Sequence, residues 1–203
     1  MRIALTGGIA CGKSLLSKCL EGLGVETLDA DDVVHDLESP GGKAADAVLS
    51  RFGTLDRAGL ARLCFGGTEA HRENRRALEA ILFPLVREKM LSWCGPRGVC
   101  SGGGAIRVAV IPLLFESGWD AEFDLAACIS SAPETQMRRL MERRGMTRAA
   151  AQARIDAQMP LAEKERRCGY VIRNDGTEEE LEREARRFAD FLKERCIHEQ
   201  RRV

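Results

Sequence analysis

One octapeptide restricts this chain more than anything else in it. Residues Gly7 to Ser14 read GGIACGKS, which satisfies G-x-x-x-x-G-K-[ST]. The motif follows a short apolar run, Arg2 to Thr6, and opens an amphipathic stretch from Lys13 to Leu23. It therefore has the strand, turn and helix context it requires. Its glycines allow backbone N–H groups to turn inward as a nest for phosphate oxygens, and the helix N-terminus adds partial positive charge. Lys13 is placed to reach the outer phosphates of a nucleotide, and the Ser14 hydroxyl to coordinate Mg²⁺.

The rest of the chain alternates short apolar runs with longer amphipathic ones, the order of an α/β protein with a parallel sheet covered by helices on both faces. Strands are expected at Arg2 to Thr6, Val25 to Leu28, Arg107 to Ile111, Leu125 to Ile129 and Tyr170 to Ile172. Helical periodicity marks Lys13 to Leu23, Asp32 to Glu38, Ala44 to Phe52, Arg57 to Cys64, Glu69 to Trp93, Ala132 to Arg143, Thr147 to Gln158 and Glu178 to Glu194. Ser131, three residues before Glu134, fits a capping box, and Thr147 and Thr177 fit N-caps. The Gly-rich stretch Cys94 to Ala105 reads as a loop. The piece between the second and third strands is too long for a simple crossover and is expected to form a helical subdomain. A second helical excursion, Pro133 to Glu165, suggests a lid.

Composition narrows the partners. The 203 residues, 44% of them hydrophobic, suffice for one core, and 31 Lys and Arg balance 31 Asp and Glu. That balance offers no polybasic platform for nucleic acid or anionic membrane. The longest apolar run, Val108 to Phe115, contains a proline and is far short of the ~20 residues that span a bilayer. A cytoplasmic protein is expected, monomeric or weakly homo-oligomeric. Its 8 cysteines are expected to be reduced thiols. Cys11 lies inside the loop, where N–H dipoles and Lys13 should lower a thiol pKa; a reactive thiol protected by bound nucleotide and an inert small residue are the two readings of it.

The second strand ends in Leu28-Asp29-Ala30-Asp31-Asp32. Acids at the carboxyl end of a parallel strand lie at the crevice where ligands bind. Asp31 is the candidate to orient an acceptor hydroxyl and take its proton late in phosphoryl transfer, on a strand expected beside the first. N-capping of the following helix by Asp29 or Asp31 is the competing role.

GGIACGKS, the DAD of Asp29 to Asp31 followed by His35, VIPLLFE at Val110 to Glu116, QMRRLMERRGMT at Gln136 to Thr147, ARIDAQM at Ala153 to Met159 and YVIRNDG at Tyr170 to Gly176 occur in that order. Together they resemble the dephospho-CoA kinase family over nearly the whole chain. The resemblance implies a P-loop kinase three-layer fold with a five-stranded parallel sheet. It divides the chain into a nucleotide-binding core (1–32, 105–132, 166–203), a helical acceptor-binding subdomain (33–104) and a helical lid (133–165). The implied reaction is ATP-dependent phosphorylation of the ribose 3′-hydroxyl of dephospho-CoA, with Mg²⁺.

By the same resemblance Gly8, Ala10, Cys11, Gly12, Lys13, Ser14 and Leu15 hold the ATP phosphates. Arg139 and Arg143 close over ATP, with Arg139 catalytic beside Lys13 and Asp31, and Asn174 and Gly176 border adenine. Asp31, His35, Arg87, Leu113, Leu114 and Glu116 receive the acceptor. The chain departs from the family's usual pattern at Phe83-Pro84, where a His-Pro is common. It departs again at Leu15, where a Thr is common, and at Cys168-Gly169, where Ala-Asp is usual.

Competing readings are a kinase for another small acceptor, such as a nucleoside monophosphate or shikimate, and a non-catalytic nucleotide-binding protein. A GTPase-type switch is disfavoured. Asp56-Arg57-Ala58-Gly59 spells its D-x-x-G element but opens a helical stretch, and no N-K-x-D follows.

Overall fold

The computed structural model describes residues 1–98 and 105–200, the side chains of 198–200 excepted. In chain order the elements are β1 (Ile3–Gly7), α1 (Lys13–Glu21), β2 (Val25–Asp29), α2 (Ala30–Glu38), α3 (Ala45–Phe52), α4 (Arg57–Cys64), α5 (Glu69–Cys94), β3 (Ile106–Val110) and a 3₁₀ turn (Trp119–Glu122). Then follow β4 (Leu125–Ser130), α6 (Pro133–Arg144), α7 (Arg148–Asp156), α8 (Leu161–Arg167), β5 (Tyr170–Arg173) and α9 (Glu178–Gln200). The chain separates into two compact units, Met1–Leu28 with Cys94–Val203, and Asp29–Trp93.

The first unit is built on a five-stranded sheet of order β2-β3-β1-β4-β5, parallel where β3, β1, β4 and β5 pair. The period-two rule sorts its side chains. Ile3 and Leu5 of β1, Val108 and Val110 of β3, and Leu125, Ala127 and Ile129 of β4 share one core with Leu16 and Leu20 of α1 and with Leu181, Ala185, Phe188 and Leu192 of α9. Each large side chain in it contributes about 1.5–3 kcal/mol by burial. The alternate residues point the other way: Thr6 donates its hydroxyl to the Pro112 carbonyl, and Ser130 donates to Glu165 of α8. β2 pairs with β3, not β1, so two strand spacings, about 10 Å, separate it from the loop's own strand. The expected adjacency of the first two strands is thereby corrected.

The expected elements form with ends shifted by a residue or a few, the largest shift being the extension of the last helix. The capping box differs in place. Ala132 is the N-cap residue of α6, without a side-chain bond, while Thr177 and Glu180 exchange the two bonds of a capping box at α9. Ser131 spends its hydroxyl on the Asn174 carbonyl instead. Helix α8 lies beyond Gln158, where the helical periodicity of the sequence stops. The expected loop from Cys94 to Ala105 is described only at its ends, because residues 99–104 lie outside the described residues. Cys11, Cys19, Cys64, Cys94, Cys128 and Cys168 are free thiols.

The second unit is helical. Asp29 caps α2 by accepting from the Asp31 N–H at 2.9 Å. Asp56 caps α4 by accepting from the Gly59 N–H at 2.7 Å, which explains the D-x-x-G tetrapeptide as a helix start. Leu82, Val86 and Met90 recur every fourth residue and are buried on one face of α5. Pro84 sits inside that helix. Asp36 of α2 and Lys89 of α5 pair at 2.9 Å. Among the described residues no helix is long and apolar enough to cross a membrane.

Candidate active site

The turn from Gly7 to Lys13 joins β1 to α1 as a cradle whose carbonyls are taken up by donors. Five consecutive loop carbonyls have donors. Lys13 Nζ donates to the carbonyls of Gly7 (3.0 Å) and Gly8 (2.9 Å). Gln136 Nε2 of α6 takes that of Ile9 at 2.7 Å, Arg139 Nη1 that of Ala10 at 3.3 Å, and Asn174 Nδ2 that of Cys11 at 2.8 Å. Occupying these carbonyls favours an anion nest, since a bare carbonyl would repel a phosphate oxygen. Gly12, with φ 95°, is the α1 N-cap, and a Cβ there would collide with the Asn174 side-chain amide. Glycine is thus demanded both by conformation and by close approach. Ala10, a non-glycine residue with positive φ (60°), carries strain of the kind found at functional sites.

The loop is also packed from above. Ile9 and Ala10 rest against Met137, Leu140 and Ala151, so α6 and α7 share an apolar cluster with the phosphate loop. Arg139 reaches Ala10, Ser131 Oγ at 3.1 Å and Asn174 Oδ1 at 3.4 Å. Burial, then the like charge of Arg143, pulls its guanidinium below the ordinary value. Arg143 itself is exposed, and Arg138 pairs outward with Glu142 at 3.9 Å. These three arginines therefore divide, with Arg139 alone of them bonded to the loop.

Several expected site residues stand elsewhere than expected. Cys11 is fully buried, and burial pushes its thiol up by more than Lys13 and Ser131 pull it down. The expected lowering of its pKa is corrected: desolvation defeats the loop's positive charge. Leu15 packs its side chain on the core, so only its backbone can serve a phosphate. Asn174 is buried with its side chain committed to the loop and Arg139. Gly176 is exposed beside Glu180. Leu114 is buried while Leu113 is exposed, so only Leu113 can meet a ligand. Glu116 is engaged by Lys164 Nζ at 2.7 Å and by the Met159 N–H at 2.9 Å. Asp31 and His35 are exposed, one turn apart on the same face of α2 in the second unit, where Arg87 is exposed on α5.

Sequence reasoning missed Gln136, Gln158, Ser131 and Lys164. All four act on backbone groups or on charges distant in sequence, and none belongs to a motif with a chemistry of its own. Among the described residues no three His, Cys, Asp or Glu side chains are gathered to hold a metal. A cation held mainly by phosphates and water, with Ser14 as a protein contribution, fits such a sparse donor set.

The glycine cradle at the β1–α1 junction of this sheet defines a phosphate-loop nucleotide-binding fold. The dephospho-CoA kinase family profile matches residues 1–180, and the chain belongs to that family. The dephospho-CoA kinase of Geobacillus kaustophilus is 40% identical over 192 residues, covering 91% of this chain and 92% of that protein. The crystal structure of TT1252 from Thermus thermophilus superposes with a TM-score of 0.75 at 31% identity, covering 95% of this chain and 97% of that one. A shikimate kinase from Bacteroides thetaiotaomicron, at 15% identity and a TM-score of 0.53 with 95% and 98% covered, shares the fold.

Proposed function

We propose that this chain transfers the terminal phosphoryl group of ATP to the ribose 3′-hydroxyl of dephospho-CoA, giving coenzyme A and ADP. The observation that carries the reading is the cradle of Gly7 to Lys13, its carbonyls occupied by donors, in a chain that the dephospho-CoA kinase family matches over residues 1–180. In this reading the inward N–H groups receive the β and γ phosphates at the α1 N-terminus. Lys13 exchanges the Gly7 and Gly8 carbonyls for phosphate oxygens when nucleotide arrives. Ser14 would hold a Mg²⁺ ion arriving with the nucleotide, and that ion would supply charge neutralisation at the phosphates. Arg139 adds a fixed cation at the rim of the loop. Asp31 orients the acceptor hydroxyl and takes its proton as the phosphoryl group departs.

In the helical unit, Asp31, His35 and Arg87 are assigned to the acceptor. Residues 133–165 serve as the lid. A coupled assay of ADP release with dephospho-CoA, adenosine monophosphate and shikimate as acceptors tests the assignment. Turnover with dephospho-CoA at least about a hundredfold above the others is expected; comparable turnover with another acceptor would displace it.

A further inference from the structure

The two backbone groups of Ile9, at the crown of the phosphate loop, are held by two glutamines from the lid segment. Gln136, a buried residue of α6, donates its Nε2 to the Ile9 carbonyl at 2.7 Å. Gln158 Oε1, two residues beyond α7, accepts from the Ile9 N–H at 2.9 Å. A Cβ on Gly8 would collide with the Gln136 amide, so the loop approaches that side chain as closely as a glycine permits. Gln158 is itself pinned, because the next N–H, that of Met159, donates to Glu116 at 2.9 Å, and Glu116 is paired with the fully buried Lys164.

We propose that Gln136 and Gln158 are positioning residues: a donor and an acceptor that clamp the Ile9 peptide groups from opposite sides and set the phosphate-binding shape of the loop before nucleotide arrives. Neither touches the reacting atoms. Their effect is to remove conformations in which the Ile9 carbonyl turns toward the anion, which would cost affinity on every binding event. The strut runs from Glu116 through Met159 and Gln158 to Ile9, so it also joins the segment after β3 to the phosphate loop. The consequence for nucleotide rests on the kinase reading, but the clamp can be measured in nucleotide-free protein.

The roles are opposite in sign, and that makes them separable. Gln158→Leu removes the acceptor, and amide hydrogen exchange at Ile9 in nucleotide-free protein should quicken about tenfold. Gln136→Leu, which removes only a donor to the carbonyl, should leave that exchange within about twofold. Both should weaken ATP binding by calorimetry about tenfold, raising KM for ATP while KM for dephospho-CoA holds.

Glutamate variants add the same charge at the same loop, yet Gln158→Glu keeps an acceptor for the N–H. Gln136→Glu sets a carboxylate against the Ile9 carbonyl and should bind ATP about tenfold more weakly than Gln158→Glu. Exchange at β4 amides reports that each variant is folded, and the leucine variants decide should Gln136→Glu not fold. Unchanged Ile9 exchange in Gln158→Leu, or ATP affinities within about twofold of wild type in both leucine variants, overturns the proposal. A wild-type protein that binds no ATP overturns the kinase reading instead, while Ile9 exchange still decides the clamp.

Discussion

Lys164 is a fully buried lysine, its Nζ 2.7 Å from Glu116 Oε1 and 2.9 Å from the Pro112 carbonyl. Replacing it with methionine keeps most of the volume, removes the cation and strands the carboxylate. Removing one partner of a buried pair costs about 3–5 kcal/mol. Part of that is recovered here, because the Glu116 side chain is 22% exposed and keeps the Met159 N–H, and the Pro112 carbonyl keeps the Thr6 hydroxyl. About 2–3 kcal/mol is the expected loss for Lys164→Met. At about 2–4 °C per kcal/mol for a chain of this size, Tm should fall by about 4–12 °C at neutral pH in scanning calorimetry.

The same pair sets a pH dependence. Burial pushes the Glu116 carboxyl up, but the bonds from Lys164 and the Met159 N–H outweigh it and hold the group below its ordinary 4.5. A carboxyl depressed in the folded state contributes stability that is complete above its unfolded pKa and is lost as pH falls through the folded value. The Tm gap between wild type and Lys164→Met should therefore narrow from pH 7 toward about pH 3.5. Adding Glu116→Leu to Lys164→Met should restore part of the loss at pH 7. A Tm within about 1 °C of wild type at pH 7, or a gap that does not change with pH, refutes the reasoning.

Asp31→Asn should leave the ATP Kd within a few fold while lowering turnover about 10²-fold, since it removes a proton acceptor but no phosphate donor; unchanged turnover would retire Asp31. Gly12→Ala, which meets the Asn174 amide at φ 95°, should weaken ATP binding at least about tenfold by titration calorimetry. Alkylation by iodoacetamide followed by peptide mass spectrometry should rank the thiols by environment. Cys168, partly exposed and drawn down by a hydrogen bond with Cys128 and by Lys164 and Arg167, should label well before buried Cys11. The reverse order would contradict the burial argument.

Much of the architecture was legible because its causes are local. Ile3, Ala4 and Leu5 before two glycines mark a buried strand turning into a phosphate loop, and Thr147 before Arg148 marks a helix start. What escaped was decided at a distance. Helix α8 buries a charge, Lys164, in place of an apolar stripe, so hydrophobic periodicity could not announce it. Ser131 and Thr177 carry the same S/T-x-x-E signature, yet Asn174 and Arg139 claim the Ser131 hydroxyl and only Thr177 forms the box. At the site, the loop glycines and Lys13 were readable from their own chemistry. Asn174, Gln136 and Gln158 were not readable as loop supports, because a backbone carbonyl or N–H elsewhere in the fold leaves no mark in the sequence. Cys11 failed for a related reason: its burial outweighs the charge beside it, and depth is a property of the assembled core.

Phosphorus NMR of a reaction containing the purified chain, ATP, Mg²⁺ and dephospho-CoA tests the central claim most directly. One new phosphomonoester resonance, coupled to the ribose 3′ proton and growing in step with ADP, is the expected result, and Lys13→Ala should abolish it. ADP appearing without that resonance, or a phosphoryl group arriving at another hydroxyl, would contradict the claim.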